Sequence, residues 1–109
     1  MTMDQSTFET IADRTLESFM DVIDETLGGD LEVDLENAAL TIDLPSGGQY
    51  IINKHSHTRQ MWMSSPLSGA SHFSYDPAQE KWMNTRGNGD LSSLLSTELE
   101  TLTHIPVTL

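Results

Sequence analysis

Between Leu27 and Leu31 the apolar residues of this chain change their period, and that change dictates its architecture. Up to Leu27 they fall at Phe8, Ile11, Ala12, Leu16, Phe19 and Ile23, the 3.6-residue repeat of a helix buried along one face. Ser6-Thr7-Phe8-Glu9 reads as a capping box at its start, and Gly28-Gly29 ends it. From residue 31 the repeat is two: Leu31, Val33 and Leu35 alternate with Glu32, Asp34 and Glu36. After a turn at Asn37 to Ala39, Leu40, Ile42 and Leu44 alternate again, and Pro45-Ser46-Gly47-Gly48 marks a further turn. Gln49 to Lys54 and Arg59 to Ser65 read as strands joined across His55 to Thr58, and Pro66 to Gly69 as a loop. Ser71 to Tyr75 and Lys81 to Thr85 supply two more strands around an Asp76-Pro77 turn.

Beyond the break at Gly87-Asn88-Gly89, Asp90 is placed to cap a second helix whose stripe is Leu91, Leu94, Leu95, Leu99 and Leu102. Helix, a meander of about six strands, helix: this order predicts an α+β fold, a two-layer sandwich. Both helices cover one face of a twisted antiparallel sheet, and the other face is open to solvent. The 109 residues suffice for one domain, 1–109, and one core.

Charge is the second constraint. Residues 1–36 hold eleven of the seventeen carboxylates and one base, Arg14, for a local charge of -10; the remaining 73 residues, with six acids and four bases, carry -2. Glu9, Asp13, Glu17, Asp21 and Glu25 form a strict four-residue ladder, which stacks like charges along one helical stripe at a cost of roughly 0.2–0.5 kcal/mol per pair. A surface chosen for stability alone would interleave lysine. The stripe is therefore expected to meet something positive, a metal ion or a basic protein.

The same charge excludes whole classes of function. At -12 nothing neutralises phosphates, so neither nucleic acid nor an anionic membrane is an expected partner. No apolar run is long enough to span a bilayer. The absence of cysteine removes disulfides, thiolate ligands and cysteine nucleophiles, leaving oxygen and imidazole as donors to any metal. Asp30, Glu32 and Asp34 alternate like an EF-hand loop but lack its glycine and distal bidentate glutamate. There is no phosphate loop, nucleophile elbow or H-E-x-x-H motif, and Ser64-Ser65 has no neighbouring base, so it reads as backbone-shaping. No catalytic residue is expected.

An acidic first helix running into an acidic strand, then Tyr50-Ile51-Ile52-Asn53-Lys54, then Gln60-Met61-Trp62-Met63-Ser64-Ser65-Pro66 with Gly69 following, resembles the frataxin family, of the bacterial type, over almost the whole chain. The Lys81-Trp82 strand and the Asp90-Leu91 helix start fit as well. The resemblance implies a regulator of iron–sulfur cluster assembly, not an enzyme, that binds ferrous and ferric iron weakly, other divalent cations substituting. Its implied partners are a cysteine desulfurase and the scaffold protein. It implies a monomer that oligomerises with iron at most, placed in a bacterial cytoplasm or, for a trimmed mature form, a mitochondrial matrix. The alternative that family members also suggest is a ferroxidase or iron store. The ladder lacks the histidine-bearing buried carboxylate cluster that such a centre needs. A third reading is an acidic adaptor unrelated to metal.

Carried onto these residues, the metal-binding set is Glu9, Asp13, Glu17, Asp21, Asp24, Glu25, Asp30, Glu32 and Asp34. Carboxylate oxygens suit hard cations, but neighbours about 5–6 Å apart on a helix share an ion through water and do not enclose it. The second set is Asn53, Gln60 and Trp62. If Met61, Met63 and Ile52 face the core, parity turns these three outward, and by resemblance they form the patch that meets the scaffold. A water-facing tryptophan suits an interface anchor. Trp82, beside Phe73 and Tyr75, is expected in the core. The four histidines are scattered: His55 and His57 flank a turn, and His72 and His104 have no evident partner.

Overall fold

The structure is a computed structural model and describes residues 3–87 and 89–109; Asn88, in the expected break before the second helix, lies outside the described residues. In chain order the elements are α1 (Gln5–Leu27), β1 (Glu32–Glu36), β2 (Ala39–Asp43), β3 (Gln49–His55), β4 (Gln60–Ser65), β5 (Gly69–Asp76), β6 (Lys81–Asn84) and α2 (Leu91–Thr103). The six strands form one antiparallel sheet in sequence order, so every connection is a hairpin. Both helices pack on the same face, α1 over β1 to β3 and α2 over β6.

The start of α1 corrects the sequence reading. The N-cap is Asp4, whose Oδ1 accepts a 2.7 Å bond from the Thr7 amide, and Ser6 lies inside the first turn. A carboxylate caps as well as a serine hydroxyl. Beginning at Asp4 also lets Met3 pack against the core, the position of a hydrophobic staple. The Thr7 amide holds the Asp4 carboxyl below its usual range. At the other end the helix stops at Leu27, with the Gly28 amide bonded to Asp24 O, as the glycine pair predicts. Strand limits differ from expectation by a residue or two. Leu31 and Leu44 are buried but lie just outside β1 and β2, and His55 belongs to β3. The β1–β2 hairpin turns on Asn37 (φ 52) and Ala38 (φ 60), the paired left-handed residues of a two-residue hairpin whose twist matches its strands.

The core fills the space between the layers. Phe8, Leu16 and Ile23 of α1 and Leu91, Leu95 and Leu99 of α2 meet Leu40, Ile42, Tyr50, Ile52, Met61, Met63 and Phe73 from the sheet, all sequestered from solvent. Each large apolar side chain so buried stabilises the fold by about 1.5–3 kcal/mol. Trp82, 3% exposed, is core as expected: it lies edge-on to Phe8 at 5.8 Å and Tyr75 at 5.0 Å. Its Nε1–H donates to Thr15 Oγ1 on α1 at 3.0 Å, so its polar atom is also satisfied.

One buried group escaped the sequence reading. Glu98 of α2 is 7% exposed, and its carboxylate accepts from Tyr50 Oη at 2.7 Å, from Ser65 Oγ, and from Ser68 Oγ at 2.7 Å. The signal was present: position 98 continues the spacing of Leu91, Leu94 and Leu95, on the apolar stripe. Ser65 does shape backbone, its Oγ accepting from the Leu67 and Ser68 amides in the turn after β4. Burial, then the bond to Glu98, pushes the Tyr50 phenol well above its ordinary pKa of 10.0. A raised folded value means the unfolded chain loses this proton first. The stabilisation is therefore complete below about pH 10 and is lost as pH rises above it. Stability measured by urea unfolding should fall more steeply above about pH 10 in the wild type than in Tyr50→Phe. Parallel slopes would remove Tyr50 from the alkaline limb, leaving it to Tyr75, which desolvation raises in the same direction.

Candidate functional site

Two surfaces carry the residues singled out from sequence. The first is an acidic edge. Glu17, Asp21, Asp24 and Glu25 are exposed along α1, Asp30 is exposed in the connection, and Glu32 and Asp34 are exposed on β1, joined by Glu36. Val33 and Leu35 pair with the buried Ile42 and Leu40, so the β1 acids project from the opposite side of the sheet. The acidic surface thus wraps one edge of the molecule, from helix to outer sheet face. Glu9 and Asp13 sit at its start and are only half exposed.

The structure adds a cation that sequence did not place. Lys54 shares the inward parity of Ile52, rises toward α1 and bonds Asp13 Oδ1 at 2.9 Å, the sole ion pair among the described residues. With its side chains 20% and 47% exposed, such a pair is worth at most about 1 kcal/mol. It relieves the ladder at one rung; from Glu17 to Glu25 the repulsion stands. Among the described residues no three acidic or histidine side chains converge closely enough to enclose an ion. The donor set is carboxylate oxygen on an open surface, suited to a hard cation that keeps much of its water.

The second surface is the outer sheet face. Met61 and Met63 are buried and Gln60, Trp62 and Ser64 face the other way, as parity predicts. Asn53 lies directly opposite Trp62 across the β3–β4 ladder, so Asn53, Gln60 and Trp62 are brought together. Gln60 Oε1 accepts from Trp62 Nε1 at 2.9 Å and fixes the indole edge.

Here the histidine reading needs correction. His72 is opposite Trp62 in the β4–β5 ladder and its ring stacks on the indole at 4.2 Å and 9°. On the indole's other side His55 stacks at 3.8 Å and 7°. Trp62 is half-buried between two imidazoles, not fully presented to water. His55 is held in turn by a 2.8 Å bond between its Nδ1 and Thr58 Oγ1. Cross-strand neighbours are the unit of sheet packing, but they become readable only once register is known. Among the described residues the large exposed apolar side chains are Ile51 (40%), on this face opposite Ser64, and Leu67 (52%), in the turn that Glu98 holds through Ser65 and Ser68. Among the described residues no helix is long and apolar enough to cross a membrane.

Comparison with known proteins fits this geometry. The frataxin-like domain family matches residues 1–104. The mitochondrial frataxin of Dictyostelium discoideum is 38% identical over 104 residues; the match takes in 91% of this chain but only 53% of that protein, so the chain spans about half the length of that relative. A Pseudomonas fluorescens protein named iron-sulfur cluster assembly protein CyaY is 33% identical over 97 residues, covering 87% of this chain and 84% of its own. In three dimensions the chain is similar to trimeric frataxin from Saccharomyces cerevisiae complexed with ferrous iron, with TM-score 0.77, 29% identity and 86% of each chain covered.

Proposed function

Because this chain belongs to the frataxin family, we propose that it is an iron-binding regulator of iron–sulfur cluster assembly and that it acts by docking. The observation that carries this reading is the pairing of two unlike surfaces on one small domain: an uninterrupted acidic edge and, beyond it on the same sheet, a face built around Trp62. Relatives named for iron–sulfur cluster assembly, and one solved with ferrous iron, support it. Glu17, Asp21, Asp24 and Glu25, with Asp30, Glu32 and Asp34 continuing the surface, would hold iron weakly. Glu9 and Asp13 lie at its margin. The same carboxylates dock on a basic patch of the cysteine desulfurase, with electrostatics setting encounter rate and salt sensitivity. Iron and desulfurase therefore compete, which gives iron a route to adjust assembly. Asn53, Gln60 and Trp62 meet the scaffold. The mitochondrial and bacterial names of the relatives support a mitochondrial matrix or bacterial cytoplasm as the setting. The trimer formed by the yeast relative favours one addition, self-association under iron load.

Amide replacement on the ladder tests the acidic half. In the triple variant Glu17→Gln, Asp21→Asn, Glu25→Gln, desulfurase affinity at low salt should fall by about tenfold or more, because the steering charge is removed. Loss of three repulsive pairs should also raise unfolding free energy by about 1 kcal/mol at low salt, a gain that shrinks as salt is added. Amide spectra during Fe(II) titration should lose the broadening centred on α1. Desulfurase affinity indifferent both to the triple change and to Fe(II) would sink the proposal.

A further inference from the structure

The outer face carries a gradient of charge that the -12 total conceals. Its outward positions on β1 are Glu32, Asp34 and Glu36, yet β3, β4 and β5 as far as Ser74 present no carboxylate there. Asp43 and Asp76 stand at strand ends, Asp76 opposite Lys81. The β1 acids crowd one edge; at the other, Lys81 stands beside Asp76 and Glu80, while Arg86, beyond the opposite end of β6, has no carboxylate within 4.0 Å among the described residues.

At that second edge is a groove of about 330 Å3, lined by Ser71, His72, Thr85 and Arg86 with Ala70 and Asn84. Several features build it. The Thr85 amide donates to His72 O at 3.0 Å, extending the β5–β6 ladder one step, and the Arg86 amide donates to Asn84 Oδ1 at 2.8 Å, which sets the turn. His72 is held by its stack on Trp62. Among the described residues Arg86 has no carboxylate within 4.0 Å, so its guanidinium is uncommitted. Arg86, Thr85 and His72 thus line one small concavity at this edge, His72 joining it to the tryptophan, while Ser71, opposite the inward Met63, closes it from the other side of the sheet. Guanidinium matches the two oxygens of a carboxylate in a bidentate pair. A polyanion such as nucleic acid is opposed by the charge of the rest of the chain.

We infer that this groove receives an aspartate or glutamate side chain of the protein that covers Trp62. That partner is acidic where it meets the β5–β6 edge, opposite in sign to the partner of the acidic ridge. The inference rests on the reading of the Trp62 face as the scaffold's docking surface. Two partners of opposite charge would then be sorted to two edges of one domain, since each surface repels the other's ligand.

The test is calorimetric titration of the iron–sulfur scaffold protein into the wild type, Arg86→Gln, Arg86→Lys, Arg86→Glu and Trp62→Ala. Affinity should fall about tenfold for Arg86→Gln and further for Arg86→Glu, with Arg86→Lys between wild type and glutamine because it keeps the charge without the fork. Thermal midpoints of the Arg86 variants should match the wild type, since the side chain is exposed and has no ion-pair partner among the described residues. Single Asp or Glu to Ala changes on the scaffold should include one after which Arg86→Gln has no further effect. Wild-type affinity in Arg86→Glu, alongside loss in Trp62→Ala, overturns the carboxylate groove and leaves the docking face standing. Wild-type affinity in both removes the docking face, and this inference with it.

Discussion

Trp62→Ala should lose scaffold binding by about 30-fold or more while remaining folded, the effect of removing a central aromatic anchor worth at least about 2 kcal/mol. The geometry explains why both halves of that outcome belong together. The indole is on the solvent side of the sheet, and the core beneath it is closed by Met61 and Met63 from the same strand. Truncation removes two imidazole stacks and one hydrogen bond to Gln60, but opens no cavity in the interior. Each stack contributes about 0.5–1.5 kcal/mol beyond its area, so the thermal midpoint should drop by several degrees and unfolding should stay cooperative. Calorimetry with the scaffold and a thermal scan of the free protein check both. A variant that fails to fold would mean that Trp62 acts as core, and unaltered affinity would mean that the partner sits elsewhere.

Glu98→Ala should produce the largest loss of stability from any single polar change, about 3–5 kcal/mol, without touching either proposed docking surface. The carboxylate is the common acceptor for three hydroxyls, on β3, at the end of β4 and in the turn that follows. Deleting it strands the Tyr50 and Ser65 hydroxyls in a buried site, where each unsatisfied group costs about 1–3 kcal/mol unless water enters, while the exposed Ser68 turns to solvent. For a domain of this size the midpoint should fall by more than about 10 °C. Glu98→Gln keeps the volume and one acceptor, and should fall between the two. Urea unfolding of the three proteins measures the difference, and an Ala variant as stable as the wild type would mean that the network is dispensable.

Almost the whole fold was legible because each element advertises its period and its punctuation. The stripe from Phe8 to Leu27 and the alternation around Leu40, Ile52 and Met61 contain the layer arrangement without any tertiary information. Parity alone put Trp62 and Asn53 outward, and α2 starts at the cap that Asp90 supplies. What sequence left hidden depends on distance in space. The imidazole stacks require strand register, which pairs Trp62 with His72 only after the β4–β5 turn is fixed. The Lys54–Asp13 pair spans 41 residues and the Tyr50–Glu98 bond 48. Glu98 was hidden differently: a charged residue on an apolar stripe looks like a boundary of that stripe until its hydroxyl partners are seen. Asp4 won over Ser6 because two valid caps stood two residues apart and packing of Met3 chose between them.

The lysine rising from β3 to Asp13 would impose an order of occupation on any cation taken up by the acidic helix. A dication reaching that rung enters by exchange, since it must first evict an ammonium group anchored 41 residues away. At Glu17, Asp21 and Glu25, which have no such partner among the described residues, it would simply add. If iron binds here, filling should begin at the Gly28 end and leave Asp13 until last, and only occupation of that last rung would loosen the tie between helix and sheet.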